Sequence, residues 1–288
     1  MGFDNMVKFG PSGNSEAFYE EGYKSSEQMP MWLENMGLDL YEYSCAKGVK
    51  ISPAKAKVIG EEAVKHGIGL SIHAPYYINL STDDEEKRAK SINYIMETLR
   101  VADIMGADKI VVHSGACAKM PRETAMGYAE ITLKKAVEQA KSEGLYHIHI
   151  CPETMGKINQ LGTLEEVMRL CLIDESFIPT IDFGHLHTRG LGCLNTVEDF
   201  ANVLDTMENM LGRDRASHFH SHFSRIEYTT GGEKMHRTYD ETDYGPDFDP
   251  LAELICKRNL SPTIICESKG TMARDALIMK NIYLKILK

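Results

Sequence analysis

Eight short runs rich in apolar, β-branched and aromatic residues recur along the chain, separated by stretches with helical periodicity. The runs are 7–10 (VKFG), 37–44 (GLDLYEYS), 67–75 (GIGLSIHAP), 108–115 (DKIVVHSG), 146–153 (YHIHICPE), 178–185 (IPTIDFGH), 217–224 (SHFHSHFS) and 261–268 (SPTIICES). The intervening stretches carry helix punctuation. Ser52 stands where an N-cap is needed and Gly67 where the same helix must stop, and the next helix opens on Asp83-Asp84-Glu85-Glu86, where the helix dipole favours acids. Strand–helix alternation implies a parallel sheet, and eight units in 288 residues predict a (β/α)₈ TIM barrel, one domain over residues 1–288. A doubly wound open sheet is the alternative. It should carry a glycine-rich phosphate loop after the first strand, and FGPSGNS is not GxGxxG. Residues 225–247 are long for a βα loop, which marks them as functional.

Composition excludes several classes. No run of about 18 apolar residues exists, so no membrane span is expected. The opening MGFDNMVKFG carries Asp4 and lacks an apolar segment, so no leader is expected either. The seven cysteines are scattered, odd in number and form no CxxC, which favours a reducing cytoplasm over a disulfide framework. A net charge of −10 argues against a broad nucleic-acid binder, although bound cations or a local basic rim can override it around a cleft.

The strand ends carry the chemistry. Runs three to eight close on His73, on His113, on Glu153, on Asp182 followed by His185, on His222, and on Glu267. Parallel strands of a barrel end around one mouth, where active sites of this architecture sit. Carboxylates and imidazoles crowded there require a cation to offset their burial. Such a mixed donor set without thiolates suits Zn²⁺, with Mn²⁺ or Fe²⁺ as alternatives, and its size suggests two or three ions. Not every histidine can be a ligand. His222, nearest its strand end, is the expected ligand of its run, with His218 and His220 in a lower barrel layer or behind the ligands. His187 is expected to be a solvated loop residue and His66 a helix-end cation. Cys151 and Cys266 are expected to face the helices.

These residues resemble the endonuclease IV family of apurinic/apyrimidinic endonucleases, among the xylose-isomerase-like barrels. The likeness is carried by His73 with Tyr76-Tyr77-Ile78-Asn79-Leu80, His113-Ser114-Gly115, Pro152-Glu153-Thr154, Asp182-Phe183-Gly184-His185, His222, His236 and Cys266-Glu267-Ser268. The resemblance implies a trinuclear zinc site. His73 and His113 would hold one ion, bridged by Glu153 to a second held with Asp182, His222 and Glu267, while His185 and His236 would hold the third. It further implies phosphodiester hydrolysis 5′ to an abasic site in DNA, with Glu153 and Glu267 placing the nucleophile and Tyr76 inserted at the lesion. The chain departs from the family pattern at several points. Lys234 stands where the family has the Asp of a D-x-H pair, leaving Glu233 or Glu241 to substitute and Lys234 to contact a phosphate or to replace the charge of the third ion. Phe223-Ser224-Arg225 replaces an Asn-Asp pair, making Arg225 a further candidate for substrate contact. The first strand lacks the family's histidine, and the Arg-rich loop after the second is reduced to 45–50 (CAKGVK). Metal ligands are kept while DNA contacts change. The competing expectations are therefore a sugar isomerase or epimerase with Glu153 and Glu267 as acid and base, acting on a small sugar, and a metal-loaded barrel that only binds.

Overall fold

The structure, a computed structural model, describes residues 7–288. The first six residues, on which the expectation of no leader partly rests, lie outside that range. The eight expected strands form one parallel sheet: β1 (Lys8–Pro11), β2 (Leu40–Ser44), β3 (Gly69–His73), β4 (Lys109–His113), β5 (His149–Glu153), β6 (Thr180–Asp182), β7 (His220–Phe223) and, after a hairpin of β8 (Arg225–Thr229) and β9 (Gly232–Arg237), β10 (Thr263–Cys266). Their spatial order is β1-β10-β7-β6-β5-β4-β3-β2. The remaining seam closes by a parallel bridge from Ser12 to Glu42 and a 2.8 Å bond from Gly13 N–H to the Glu42 carbonyl. Gly10 permits that approach, because a Cβ there would lie 2.0 Å from the Leu40 carbonyl oxygen. Closure rules out the open doubly wound sheet.

Helices cover the outside of the barrel as the caps foretell. Pro53–His66 starts at Ser52, whose hydroxyl accepts from Lys55 N–H, and stops at Gly67 with φ +66°. Glu85–Met105 starts at Asp84, which accepts from Lys87 N–H. Strand alternation then sorts the side chains. Phe9, Tyr41, Ile72, Val112, Ile181, Phe223 and Cys266 join the apolar cluster between sheet and helices. The opposite faces point into the barrel and form tiers. His73, His113, Glu153, Asp182, His222 and Glu267 make the top one, and the residues two positions earlier, among them Ser71, Val111, Cys151 and His220, make the one below. Cys151 therefore shares a face with Glu153 and lies outside the helix-facing cluster, contrary to expectation, whereas Cys266 lies within it.

The long segment after β7 is the β8–β9 hairpin, docked on the loop that follows β5. Ile158 N–H bonds to the Gly231 carbonyl at 3.2 Å, and Glu233 N–H to the Gly156 carbonyl at 3.2 Å. Gly232 is required here: its φ is +92°, and a Cβ would lie 2.2 Å from the Gly156 oxygen. This docking brings β9 over the barrel mouth.

Candidate metal centre

Metal-competent atoms crowd the mouth in overlapping groups, chief among them His73–His113–Glu153, Glu153–Asp182–His222–Glu267 and His185–Glu233–His236, with His73–His222–Glu267 joining the first two. Glu153 belongs to the first two. Its Oε2 lies 3.0 Å from His113 Nε2 and 3.5 Å from His73 Nε2, while its Oε1 lies 3.0 Å from His222 Nδ1. The Nδ1 of His73 is 2.7 Å from the Ala74 carbonyl, which keeps a proton there and leaves Nε2, facing Glu153, as the nitrogen that would bind an ion. Glu267 Oε2 reaches within 3.5 Å of His222 Nδ1.

The third group is assembled differently. Asp182 ends β6 and immediately caps the helix Phe183–Arg189, accepting from His185 N–H at 2.7 Å. That turn places His185 Nδ1 3.3 Å from Asp182 Oδ2 and its Nε2 3.5 Å from Glu233 Oε2. Glu233 and His236 arrive on β9, with His236 Nε2 4.0 Å from Glu233 Oε1 and its Nδ1 2.8 Å from Ser224 Oγ. Glu233 thus occupies the carboxylate position that the sequence left between Glu233 and Glu241. Glu241 instead accepts from Thr238 N–H and Arg237.

The donors fit divalent ions. Glu153 Oε2 and Asp182 Oδ2 are buried and make no hydrogen bond, an arrangement that is costly unless a cation completes it. The protonation pattern points the same way. Burial pushes Glu153 upward, but the charges of His222 and His113 outweigh it and hold the carboxyl well below the usual range. Glu267 is likewise pushed up by burial and drawn down, chiefly by His222, to about 2. Asp182 moves the other way, raised by burial and, despite His185, by Glu267 and Glu153. His185 is lowered by burial but raised more by Asp182 and Glu233, to about 9. Protons on His185 and His222 therefore do the neutralising that an ion would do, and binding an ion must displace them.

Around the groups runs a cleft of about 390 Å³, walled by Tyr76, Met155, Lys157 and Gln160 as well as the metal-competent residues. Tyr76 stands at the lip, half exposed, its ring stacked on His113 at 5.2 Å and edge-on to His73 at 4.8 Å. Lys157 is the one lysine or arginine lining the cleft among the described residues.

Every residue expected as a ligand lies in this cleft or directly beneath it, but other expectations fail. Lys234 does not face the cleft. It is the unpaired residue of the bulge in β9, between Glu233 opposite Tyr228 and Met235 opposite Glu227, and its ammonium pairs with Glu227 instead. Arg225 is buried, pairs with Asp247 and the Tyr244 carbonyl, and lies over the Tyr239 ring. It lines a neighbouring pocket rather than this one, so its charge is engaged in holding the segment 239–247. His187 is not solvated: it is buried, and its Nδ1 accepts from Leu194 N–H. His218 follows the short helix Arg213–Ser217, bonds to the Asp214 carbonyl and is not in the barrel, while His220 is. The sequence reading passed over Glu42, Met155, Lys157 and Gln160. Only Glu42 left a signal, as a carboxylate between Tyr41 and Tyr43 in a run that is otherwise strand core.

The chain matches the family model described as xylose isomerase-like TIM barrel over residues 31–282. An uncharacterized protein of Methanocaldococcus jannaschii is 31% identical over 87% of this chain and 89% of its own. A probable endonuclease 4 of Acholeplasma laidlawii is 31% identical over 56% of this chain, and the match spans about half of that relative's length, 55%. Among solved structures, a D-tagatose 3-epimerase-like protein superposes with a TM-score of 0.73 at 21% identity, covering 98% of each chain, and so shares the fold. Closed eightfold barrel, metal-competent strand ends and family match agree: this chain is a member of the xylose isomerase-like TIM barrel family, with endonuclease IV-like relatives.

Proposed function

We propose that the protein is a multinuclear metal-dependent phosphodiesterase, with zinc the expected metal, that cleaves DNA 5′ to abasic sites. The observation that carries this reading is the set of three adjoining donor groups in one cleft, two of them sharing Glu153. A sugar epimerase working through one ion needs only the quartet Glu153, Asp182, His222 and Glu267, and would leave His73, His113, His185 and His236 without a task. A phosphate diester, whose attacking and leaving oxygens both need charge stabilisation, uses all of them. The probable endonuclease 4 relatives support the same choice.

His73, His113 and Glu153 would hold one ion, Glu153, Asp182, His222 and Glu267 a second, and His185, Glu233 and His236 a third. When bound, such ions neutralise phosphate charge and acidify water enough to attack at neutral pH. The chain's own groups do the rest. Glu153 and Glu267 stay ionised at neutral pH, and Glu267, which lines the cleft, would help to place the attacking water. Tyr76 offers an exposed ring face at the lip for a displaced base or sugar, and Lys157 a positive charge for a flanking phosphate. The competing sugar reading draws on the modest cleft volume of about 390 Å³ and the net charge of −10.

The deciding assay offers a duplex with one abasic site to metal-loaded protein, metal-stripped protein and a Glu267→Gln variant. Metal-dependent nicking 5′ to the lesion, lost in the variant, is expected. Protein verified to hold two or more ions that leaves the duplex intact would refute the phosphodiesterase, and the next substrates to try would be ketose sugars.

A further inference from the structure

One tier below the quartet lies a carboxylate that the proposed chemistry does not use. Glu42, in the middle of β2, is fully buried inside the barrel. Its Oε2 accepts from Ser71 Oγ at 2.8 Å and lies 3.0 Å from His220 Nε2, and the far nitrogen of His220 is 2.7 Å from Thr263 Oγ1. Its Oε1 lies 3.0 Å from His222 Nε2, in close contact but not yet aligned as a hydrogen bond. The other nitrogen of His222, Nδ1, faces Glu153 and Glu267 above. His222 is therefore the side chain through which the lower tier touches the upper one.

An imidazole ligates through one nitrogen only when its proton is kept on the other, and a carboxylate behind the ring both keeps it there and sets the ring's angle. We propose that Glu42 is a positioning residue for the metal centre: it holds the Nε2 proton of His222, so that Nδ1 presents its lone pair to an ion gathered by Glu153, Asp182 and Glu267. Ser71 and His220 brace Glu42 from β3 and β7, and Thr263 braces His220 from β10. The ring angle is thereby set by four barrel strands rather than by a loop. Glu42, His220 and His222 are themselves close enough to gather an ion, and the test below separates that arrangement, in which Glu42 is a ligand, from the one proposed. The inference rests on the reading that the quartet holds an ion and is independent of the substrate.

The test is Co²⁺ titration of metal-stripped protein, reading stoichiometry, affinity and the visible absorption bands. Wild type, Glu42→Gln and Ser71→Ala are compared, with far-UV circular dichroism confirming that each is folded. Glu42→Gln should bind as many ions as wild type, with affinity at one site weakened by about 10–100-fold and altered bands at that site. Ser71→Ala should shift both in the same direction by less. Unchanged affinity and bands in Glu42→Gln would overturn the proposal. So would loss of one whole equivalent with the remaining sites untouched, since Glu42 would then be a ligand. Should Glu42→Gln not fold, Ser71→Ala decides, and wild-type affinity in it would overturn the proposal. Wild type that binds no Co²⁺ removes the metal reading itself, an outcome distinct from a variant that merely matches wild type.

Discussion

The barrel rim and the β8–β9 hairpin both present imidazole and carboxylate groups to the same cleft, yet they hold them in different ways. On the rim, Glu153, Asp182, His73 and His222 sit at strand ends, are essentially inaccessible, and have neighbours fixed by parallel register. On the hairpin, Glu233 and His236 are partly exposed and rest on a two-stranded ladder with a register irregularity at Glu227–Tyr228. The rim cannot adjust without disturbing the barrel, whereas the hairpin is anchored to the loop after β5 mainly through Gly156, Ile158 and Gly231. A buried, register-fixed set favours tight binding in one geometry, and a surface ladder favours a weaker site that tolerates sequence change. The replacement of the family's Asp by Lys234, with Glu233 taking its place one residue earlier, lies in the tolerant half.

The largest expected effect lies on the rim. Glu153→Gln keeps the shape but removes the charge shared by two donor groups. It should abolish stoichiometric binding at both and lower turnover by on the order of 10³-fold, matching the several kcal/mol that bound ions contribute to a transition state. Metal analysis together with turnover on the abasic duplex checks this. Near-wild-type metal content would break the comparison at its strongest point. On the hairpin, Glu233→Gln should lose one ion while the rim keeps its own, and lower turnover by roughly 10–100-fold, the scale of a group that supports rather than founds a site. A Glu233→Gln protein as empty as Glu153→Gln would mean that the two regions bind as one unit.

The pH dependence of stability sharpens the same contrast. In metal-stripped protein His185 titrates at about 9 against an ordinary value of 6.5, because Asp182 and Glu233 outweigh the effect of burial. A raised pKa contributes stability that is fully present below the unfolded value and is lost as pH rises through the folded one. The stripped protein should therefore lose thermal stability between about pH 6.5 and 9, while the loaded protein, whose ion replaces the proton, should not. Scanning calorimetry of both forms across that range checks it, and parallel curves would count against His185 as a ligand.

The rim was legible in the sequence because strand periodicity and parallel topology do not depend on detail. Once eight strands run the same way, His73, His113, Glu153, Asp182, His222 and Glu267 must share a mouth. The tiers were less legible. Alternation from Glu153 places Cys151 inside the barrel, but a small apolar residue fits either face, so its orientation depends on register rather than on residue type. Glu42 was missed because Ser71 comes from the neighbouring β3 while His220 and His222 come from the non-adjacent β7, and one-dimensional spacing does not show that all of them meet. The hairpin was least legible. Residues 225–247 carry no turn signal stronger than Thr230-Gly231-Gly232, so which of Lys234 and Glu233 faces inward rests on a pairing register that the bulge shifts.

The smallest expected effect is at Lys234, and it is informative because it is small. The side chain is half exposed and pairs with Glu227, which also receives Arg237. Removing it leaves Glu227 with a second cation, so Lys234→Ala should show no resolvable change in Tm or metal content. Lys157→Ala is the matched control, since Lys157 lines the cleft. If the substrate is DNA, each phosphate contact adds about one unit to the slope of log affinity against log salt. Lys157→Ala should thus flatten that slope by about 1 and weaken binding alike on lesion-bearing and intact duplex. Lys234→Ala should leave the slope at its wild-type value. A flattened slope in Lys234→Ala would mean that the pair with Glu227 opens when substrate arrives, making the outer face of the hairpin part of the binding surface. An unchanged slope in both variants would mean that neither lysine meets a phosphate, leaving the metal centre as the cleft's sole source of positive charge for one.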